Sequence, residues 1–367
     1  MRFPLILASI PLCGSIGAQP PCLLTHDFDP GTDAVQTTEV NAWRQSLPGN
    51  RQARGMVRCG RHYFFTASTP NYGQELWRTD GTPNGTVMVR DITVGPQGGE
   101  IRNLACFDIG AGPRLWFTAT DRASGVELWT SDGTTTGTRR VADINPGGSH
   151  SRPTHMERLG NRILFQARSF GGAELWSTDG TATGTRLVRD INPVGSSNPR
   201  YLLTNSAGTE CLFIAEDRNG THLWKTDGTA AGTVPIRAIR DRHAVVHLVN
   251  HRGSVLYTDW GTGSPHGTEL WKTDGTNAGT VRIADFRVGG TQHTADLSSS
   301  VAIGSDLFFV AESVTGAGLW KTDGTAGGTV RVATTQSRPK HLARVGNKFF
   351  FSSDTTTYCY DGLRLTN

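Results

Sequence analysis

Charge is scarce in this sequence. Asp, Glu, Lys and Arg together make up 19% of its 367 residues, and Lys and Arg nowhere form a run of five or more. The formal net charge of +4 is scattered, which excludes the concentrated basic stripe that a nucleic-acid backbone would require. Long apolar runs are also missing, and beyond the N-terminal region no stretch is apolar enough to cross a bilayer as a helix. There is no GxSxG, HExxH, P-loop or GxGxxG string, so no familiar catalytic motif is present. No CxxC occurs, which removes the usual zinc spacings. Acidic residues suffice for a glycosidase pair, but nothing in the sequence selects one.

What is present begins with an export signal. Arg2 supplies the positive start, "FPLILASIPL" a short apolar core, and "GSIGA" small residues for cleavage after Ala18. Residues 1–18 therefore read as a signal peptide and 19–367 as the mature domain, secreted or periplasmic. Cys13 follows Leu12 rather than the Gly or Ala of a lipobox, which argues against lipidation. Five cysteines remain: Cys22, Cys59, Cys106, Cys211 and Cys359. Export permits disulfides, and an odd total leaves one thiol over.

Glycine is abundant at 45 residues, and the rest of the chain repeats itself. Trp77, Trp129, Trp176, Trp224, Trp271 and Trp320 recur at steps of 52, 47, 48, 47 and 49 residues. Asp-Gly follows each by three residues, at Asp80, Asp132, Asp179, Asp227, Asp274 and Asp323. A degenerate seventh copy, "TYCYDG", places Tyr358 in the tryptophan position and Asp361 in the turn. Each repeat divides into four strand-like pieces separated by polar turns. The second piece, as in "RILFQAR" or "DLFFVA", is apolar on successive residues, so both its faces are covered. Four-stranded sheets standing face to face around an axis provide that cover. The expected fold is an all-β, seven-bladed β-propeller.

Seven second strands and seven third strands can be counted, but only six fourth strands. "LLTHDFDPG" at Leu23–Gly31 matches "RLVRDINPV" at Arg186–Val194. Residues 22–31 are therefore expected to complete the last blade and close the ring, whereas an open solenoid would carry polar caps. In this alignment Cys22 takes the place of Thr185 and Cys359 that of Ser177, so a Cys22–Cys359 disulfide is expected to join the chain ends, worth roughly 2–4 kcal/mol.

The string "ELWxTDGTxxGTxxVxDIxPG" resembles the ELWxxDGT repeat, a family of exported bacterial repeat proteins. The resemblance covers almost all of the mature chain. It implies a secreted, propeller-like protein of a kind mostly without an assigned function. Family members often carry further domains or a C-terminal sorting tail; here the sequence stops just past the last hairpin turn, which speaks against covalent surface anchoring.

The repeated aspartates read as turn chemistry, accepting backbone N–H groups two residues on while Gly takes positive φ. Leu and Trp at successive positions face opposite ways and wedge neighbouring blades. Asp27, Asp29 and Asp33, in "DFDPGTD", space hard oxygens in a way that can hold calcium, although the EF-hand pattern is absent and a solvated turn is the favoured reading. No other cofactor is expected. His155, His247 and His341 occupy equivalent places in the first strands of blades three, five and seven, where channel-lining residues belong; Asn103 and Tyr201 hold that place elsewhere. Neutral imidazoles there suit a ligand. Two departures from the repeat are candidate contacts: an insertion at 32–48 containing Trp43, and the longer loop "TDWGTGSPHGTEL" with Trp260 and His266. The expected function is a monomeric binding scaffold for a protein or glycan. A glycan-active hydrolase or lyase and a structural matrix component are the alternatives.

Overall fold

The computed structural model describes residues 56–367 except 240–246, 261–267, 287–294, 314–315, 336–339, 346–347, 353–356, 361–364 and 367. The described residues form seven four-stranded antiparallel sheets, each a meander whose strands follow chain order. The third sheet serves as the pattern: Thr154–Leu159, Arg162–Ser169, Gly172–Thr178 and Arg186–Arg189. First strands of successive sheets lie side by side, from Val57–Cys59 through Arg102–Asp108 and Thr154–Leu159 onward, as blades of a propeller do.

Neither face of a sheet can bury itself, so the sheets bury one another. Phe64, Leu76 and Val89 of the first sheet pack on Phe117, Ala119 and Trp129 of the second. Trp116, Leu128 and Val141 of the second then pack on Phe165, Ala167 and Trp176 of the third. The same seam continues from Leu175 to Phe213 and Trp224, from Leu223 to Tyr257 and Trp271, from Leu270 to Phe309 and Trp320, and from Leu319 to Phe351 and Tyr358. Each Trp, or Tyr358, stands directly opposite an aromatic of the second strand, as in Phe165↔Trp176 and Phe351↔Tyr358. The Leu of "ELW" therefore serves the following sheet and the Trp the preceding one.

Two details, one in the seventh sheet and one among the cysteines, add to the sequence reading. Beside the third strand Thr357–Tyr360 lies Leu365–Thr366, pairing Cys359 with Thr366 and Tyr360 with Leu365. Thr366 thus stands where Arg186 stands opposite Ser177 in the third sheet. Among the described residues, the strand beside Thr357–Tyr360 is this two-residue strand from the chain's other end. Residues 22–31, including Cys22, lie outside the described residues. The disulfide that is present joins Cys59 to Cys106, with S–S 2.04 Å and Cα–Cα 5.4 Å. It staples the first strands of sheets one and two, and closing a 47-residue separation contributes about 2–4 kcal/mol. Cys211 is buried, and that burial pushes its thiol up, which keeps it unreactive.

The TDGTxxGT turn is a closed hydrogen-bond circuit. Asp179 Oδ1 accepts from Thr181 N and Oγ1 at 2.9 and 2.7 Å. Gly184 N donates to Thr181 Oγ1 at 2.9 Å, and Thr185 Oγ1 to Thr181 O at 2.7 Å. Thr178 and Thr185 hydroxyls meet at 2.8 Å. The circuit recurs around Asp80, Asp132, Asp227, Asp274 and Asp323. Each glycine has its own reason. Gly180 has φ +90, and a Cβ on Gly184 would lie 2.0 Å from Asp179 Oδ1. Asp361 lies outside the described residues.

The Glu of "ELW" does the complementary work at the opposite end of the blade. Glu174 accepts from Ile191 N and Ser197 N at 3.0 and 2.8 Å and from the Ser197 hydroxyl at 2.6 Å. Glu127 does the same with Ile144 and Ser151, and Glu75 with Ile92 and Thr93. A buried carboxylate thereby holds the loop that leads to the next sheet, satisfying N–H groups that would otherwise be orphaned.

These two sets of carboxyls respond oppositely to pH. Thr181, by its hydroxyl and then its N–H, holds Asp179 below its ordinary value, and the equivalent threonines do so for Asp80, Asp227, Asp274 and Asp323. At Asp132 burial pushes upward, but the Thr134 bonds and Arg114 outweigh it. Their stabilisation is present above the unfolded value of about 3.9 and is lost as pH falls through the folded values. Burial raises Glu75 to about 7 and raises Glu127 and Glu174 as well. That contribution is fullest below the unfolded value of about 4.3 and is lost as pH rises toward 7. Calorimetry across pH 3–8 is expected to place maximal thermal stability at about pH 4–5. Glu75→Gln should flatten the decline between about pH 4.3 and 7; an unchanged slope would contradict the assignment.

Candidate functional site

The rim that carries the turns between second and third strands, and the loops between sheets, has an unusual backbone. Asn103, His155 and Tyr201 occupy one equivalent place in the first strands of sheets two, three and four, with φ of 56, 54 and 56. Three residues earlier, Glu100, Arg152 and Asn198 also take positive φ, at 49, 44 and 46. The strand register shifts in each case, between Arg102 and Ala105, opposite Leu164–Gln166, and between Arg200 and Leu203. A left-handed conformation is costly for a bulky residue such as Tyr201, about 1–3 kcal/mol. Bulges of this kind re-aim side chains, and three successive strands use the same device.

The aimed side chains form a continuous arc. The Asn103 amide donates to Pro153 O at 3.1 Å, tying sheet two to sheet three. Ring centroids of His155 and Tyr201 are 6.4 Å apart, and those of Tyr201 and His247 6.0 Å. His247 Nδ1 lies 3.9 Å from Asp296 Oδ1 of the sixth sheet. His155 Nδ1 is buried and has no hydrogen-bond partner among the described residues. Burial, and then Arg200, lower His155 to about 4. Burial lowers His247 too, against the opposing pull of Asp296. Both imidazoles are therefore neutral near pH 7 and offer lone pairs and ring faces.

The structure brings together two of the three histidines singled out by sequence, with Tyr201 between them. Among the described residues no group of three His, Cys, Asp or Glu is placed to hold a metal ion. His341 lies in the first strand of the seventh sheet, Lys340–Val345, and Trp260 ends the strand Ser254–Trp260, pairing with Thr268; only their strand positions are described. Trp43, His266, Asp27, Asp29 and Asp33 lie outside the described residues.

A second constellation was missed by the sequence reading. Across the second and third strands a column of alanines faces the Glu place of "ELW": Ala67, Ala119 and Ala167 opposite Glu75, Glu127 and Glu174, Ala215 opposite His222 and Ala311 opposite Gly318. Sheet five breaks it with Asp259, directly opposite Glu269. Their side chains are only 1% and 3% exposed. Arg237, from sheet four, reaches Asp259 Oδ2 at 3.0 Å, donates to the Tyr257 hydroxyl at 3.3 Å, and lies 3.5 Å over the Trp271 ring. Burial pushes the Tyr257 phenol upward, so it stays protonated. Glu269 receives Arg282 at 2.6 Å and the Trp271 indole N–H at 3.2 Å. Each buried carboxyl thus meets a guanidinium group, and one of these, Arg237, joins sheet four to sheet five. The signal that could have found it is the acidic break in the alanine column, a place where the seventh repeat carries Ser353. Arg237→Leu alone is expected to cost about 3–5 kcal/mol by stranding a buried aspartate. Arg237→Leu with Asp259→Ala, which restores the column, should recover most of that in urea denaturation; equal losses in both proteins would contradict this reading.

No family model matches this chain, and no curated relative matches it. Solved structures do. Puromycin hydrolase is 15% identical with a TM-score of 0.47, covering 86% of this chain and 52% of its own. Prolyl oligopeptidase B from Galerina marginata is 12% identical at 0.49, covering 86% and 48%. The β-propeller domain of the Trilobed protease from Pyrococcus furiosus is 11% identical at 0.42, covering 87% and 96%. The chain spans about half the length of the first two of these proteins. None of the three reaches a TM-score of 0.5, so the fold assignment rests on the seven sheets themselves.

Proposed function

We propose that this chain is a secreted β-propeller that acts as a binding scaffold, holding its partner on the inner rim of sheets two to five. The observation that carries the reading is the His155–Tyr201–His247 arc, built on a strained backbone device that packing alone does not require. Neutral imidazoles and a phenol present ring faces with polar edges, the composition of a recognition surface. The rival hydrolase reading lacks support of this kind, since the buried carboxylate pair is matched by arginines. The Cys59–Cys106 disulfide fits an oxidising compartment and hence export.

The reading includes a closed ring of seven blades. Phe65 and Ala67 lie on the face of sheet one that corresponds to the Phe117 and Ala119 face of sheet two, and both are buried, at 8% and 2% exposure. Sheet seven is the remaining sheet available to cover them. We assign the Leu23–Gly31 copy to the outer place of that sheet, competing with or extending the two-residue Leu365–Thr366 strand, with Cys22 bonded to Cys359. Peptide mapping of the non-reduced secreted protein tests the closure: a Cys22–Cys359 cross-linked fragment is expected, and Cys22 recovered as a free thiol would count against it. Peptide and glycan arrays probed with the wild type and Tyr201→Ala test the site. Loss of at least about tenfold in binding is expected from removing a central aromatic. Turnover of an ester or glycan panel, abolished by a single acidic substitution, would replace the scaffold reading with an enzymatic one.

A further inference from the structure

The rim beside the arc carries positive charge that the protein itself leaves unanswered. Arg102, Arg152 and Arg168 are exposed and have no ion-pair partner among the described residues. Two hydrogen bonds, one from a side-chain amide and one from the backbone, tie the segments that carry them into one group. Asn103, next to Arg102, donates to the carbonyl of Pro153, next to Arg152, at 3.1 Å. Arg168 N donates at 2.8 Å to the carbonyl of Ser151, on the other side of Arg152. Arg152 is itself held at positive φ, a conformation that costs energy and gains nothing in packing for an exposed side chain. Arg122 is exposed on the neighbouring turn of sheet two, while the nearby Asp121 is taken by Arg140 at 3.5 Å. Glu100 is an exposed acid two residues before Arg102; the exposed Asp143 and Asp190 follow the fourth strands Arg139–Arg140 and Arg186–Arg189.

Beside the arginines the rim is apolar. Phe170, at the tip of the turn after Arg162–Ser169, is 90% exposed, and Val194, in the loop to sheet four, is 83% exposed. The two loops are in contact: a Cβ on Gly172 would lie 2.6 Å from Gly195 O, and Ala173 N donates to Ser196 Oγ at 3.0 Å. A large aromatic and a branched aliphatic at loop tips, each nearly fully exposed, have no role in the fold.

We infer that this rim of sheets two and three docks an acidic polypeptide segment, its carboxylates paired to Arg102, Arg152 and Arg168 and an apolar side chain seated on Phe170 and Val194. Aromatic and arginine side chains are the groups that most often carry protein–protein binding energy. Guanidinium groups match carboxylates in two-point geometry. A polyanionic sugar would answer the charge but would leave the two apolar tips uncovered.

The inference names the partner class for the scaffold proposed above and rests on that reading. It is tested by fluorescence anisotropy with the full chain and a short fluorescein-labelled peptide alternating glutamate with leucine. A glutamine-for-glutamate peptide serves as the control, and heparin and alginate oligosaccharides as competing anions. Binding to the acidic peptide is expected, weakening about tenfold or more in the R102Q/R152Q/R168Q protein and when salt rises from about 0.05 to about 0.5 M. Phe170→Ser should weaken it several-fold. All four positions are exposed, so circular dichroism and melting should match the wild type and keep the comparison valid. No binding of the peptide, equal binding by the arginine variant, or arginine-dependent binding of the oligosaccharides alone would overturn the inference. Tyr201→Ala on the same arrays separates the two readings. If array binding is lost there while the acidic peptide fails, the scaffold reading stands and this inference falls.

Discussion

The structure depends on one constraint: a four-stranded sheet with apolar residues on both faces cannot be covered by itself. From sheet one to sheet six, each sheet turns a leucine face to its successor, which meets it with a phenylalanine–tryptophan face or its tyrosine equivalents. The six seams found, from Phe64 and Leu76 against Phe117 and Trp129 to Leu319 against Phe351 and Tyr358, are copies of one interface. A fully buried leucine contributes about 1.5–3 kcal/mol, and each seam contains several such groups. Stability is then a property of neighbours rather than of blades, as in other repeat proteins.

Around that constraint the repeat divides its labour by position. At one end of each blade, Thr and Asp side chains close the last turn, and the glycines stand where a side chain would either need positive φ or collide with the carboxylate. At the other end, a buried Glu anchors the loop leading to the next sheet. Where the Glu is lost, the aspartate across from it is lost as well: His222 faces Ala238, and Gly318 faces Thr334. The two residues belong to one loop design and disappear together. The rim proposed for binding departs from this economy, with left-handed non-glycine residues, arginines without an ion-pair partner among the described residues, and exposed apolar tips. Such features cost stability and do nothing for the packing of the sheets.

Much of the architecture was legible in the sequence because it is repeated. The spacing from Trp77 to Trp320, the Asp-Gly turns and the apolar second strands gave seven sheets of four strands. Tyr201 was visible only as an occupant of the histidine position, since nothing in one sequence indicates that the chain bulges there and turns His155, Tyr201 and His247 into one arc. The Glu of "ELW" was in plain view but had no assigned partner, because its hydrogen-bond donors are backbone N–H groups, which sequence does not display. The Cys59–Cys106 bond was likewise hidden: it follows from the adjacency of two first strands, one repeat apart, rather than from a spacing motif. Asp259 could have been noticed as a break in the alanine column, but Arg237, its partner, stands at the same repeat place as Arg90 and Arg189, opposite the Leu of "ELW", and nothing in the sequence sets its reach apart from theirs.

The dependence of each sheet on its neighbour is most directly tested by native-state hydrogen exchange on Leu175→Ala. Leu175 is fully buried at the seam between sheets three and four, and its truncation costs about 2–5 kcal/mol. Shared seams require exchange to accelerate across the seam, in Cys211–Asp217 and Gly220–Thr226 of sheet four as well as in Arg162–Ser169 of sheet three. Acceleration confined to sheet three, with sheet four protected as in the wild type, would mean that blades are stable individually and would contradict the account.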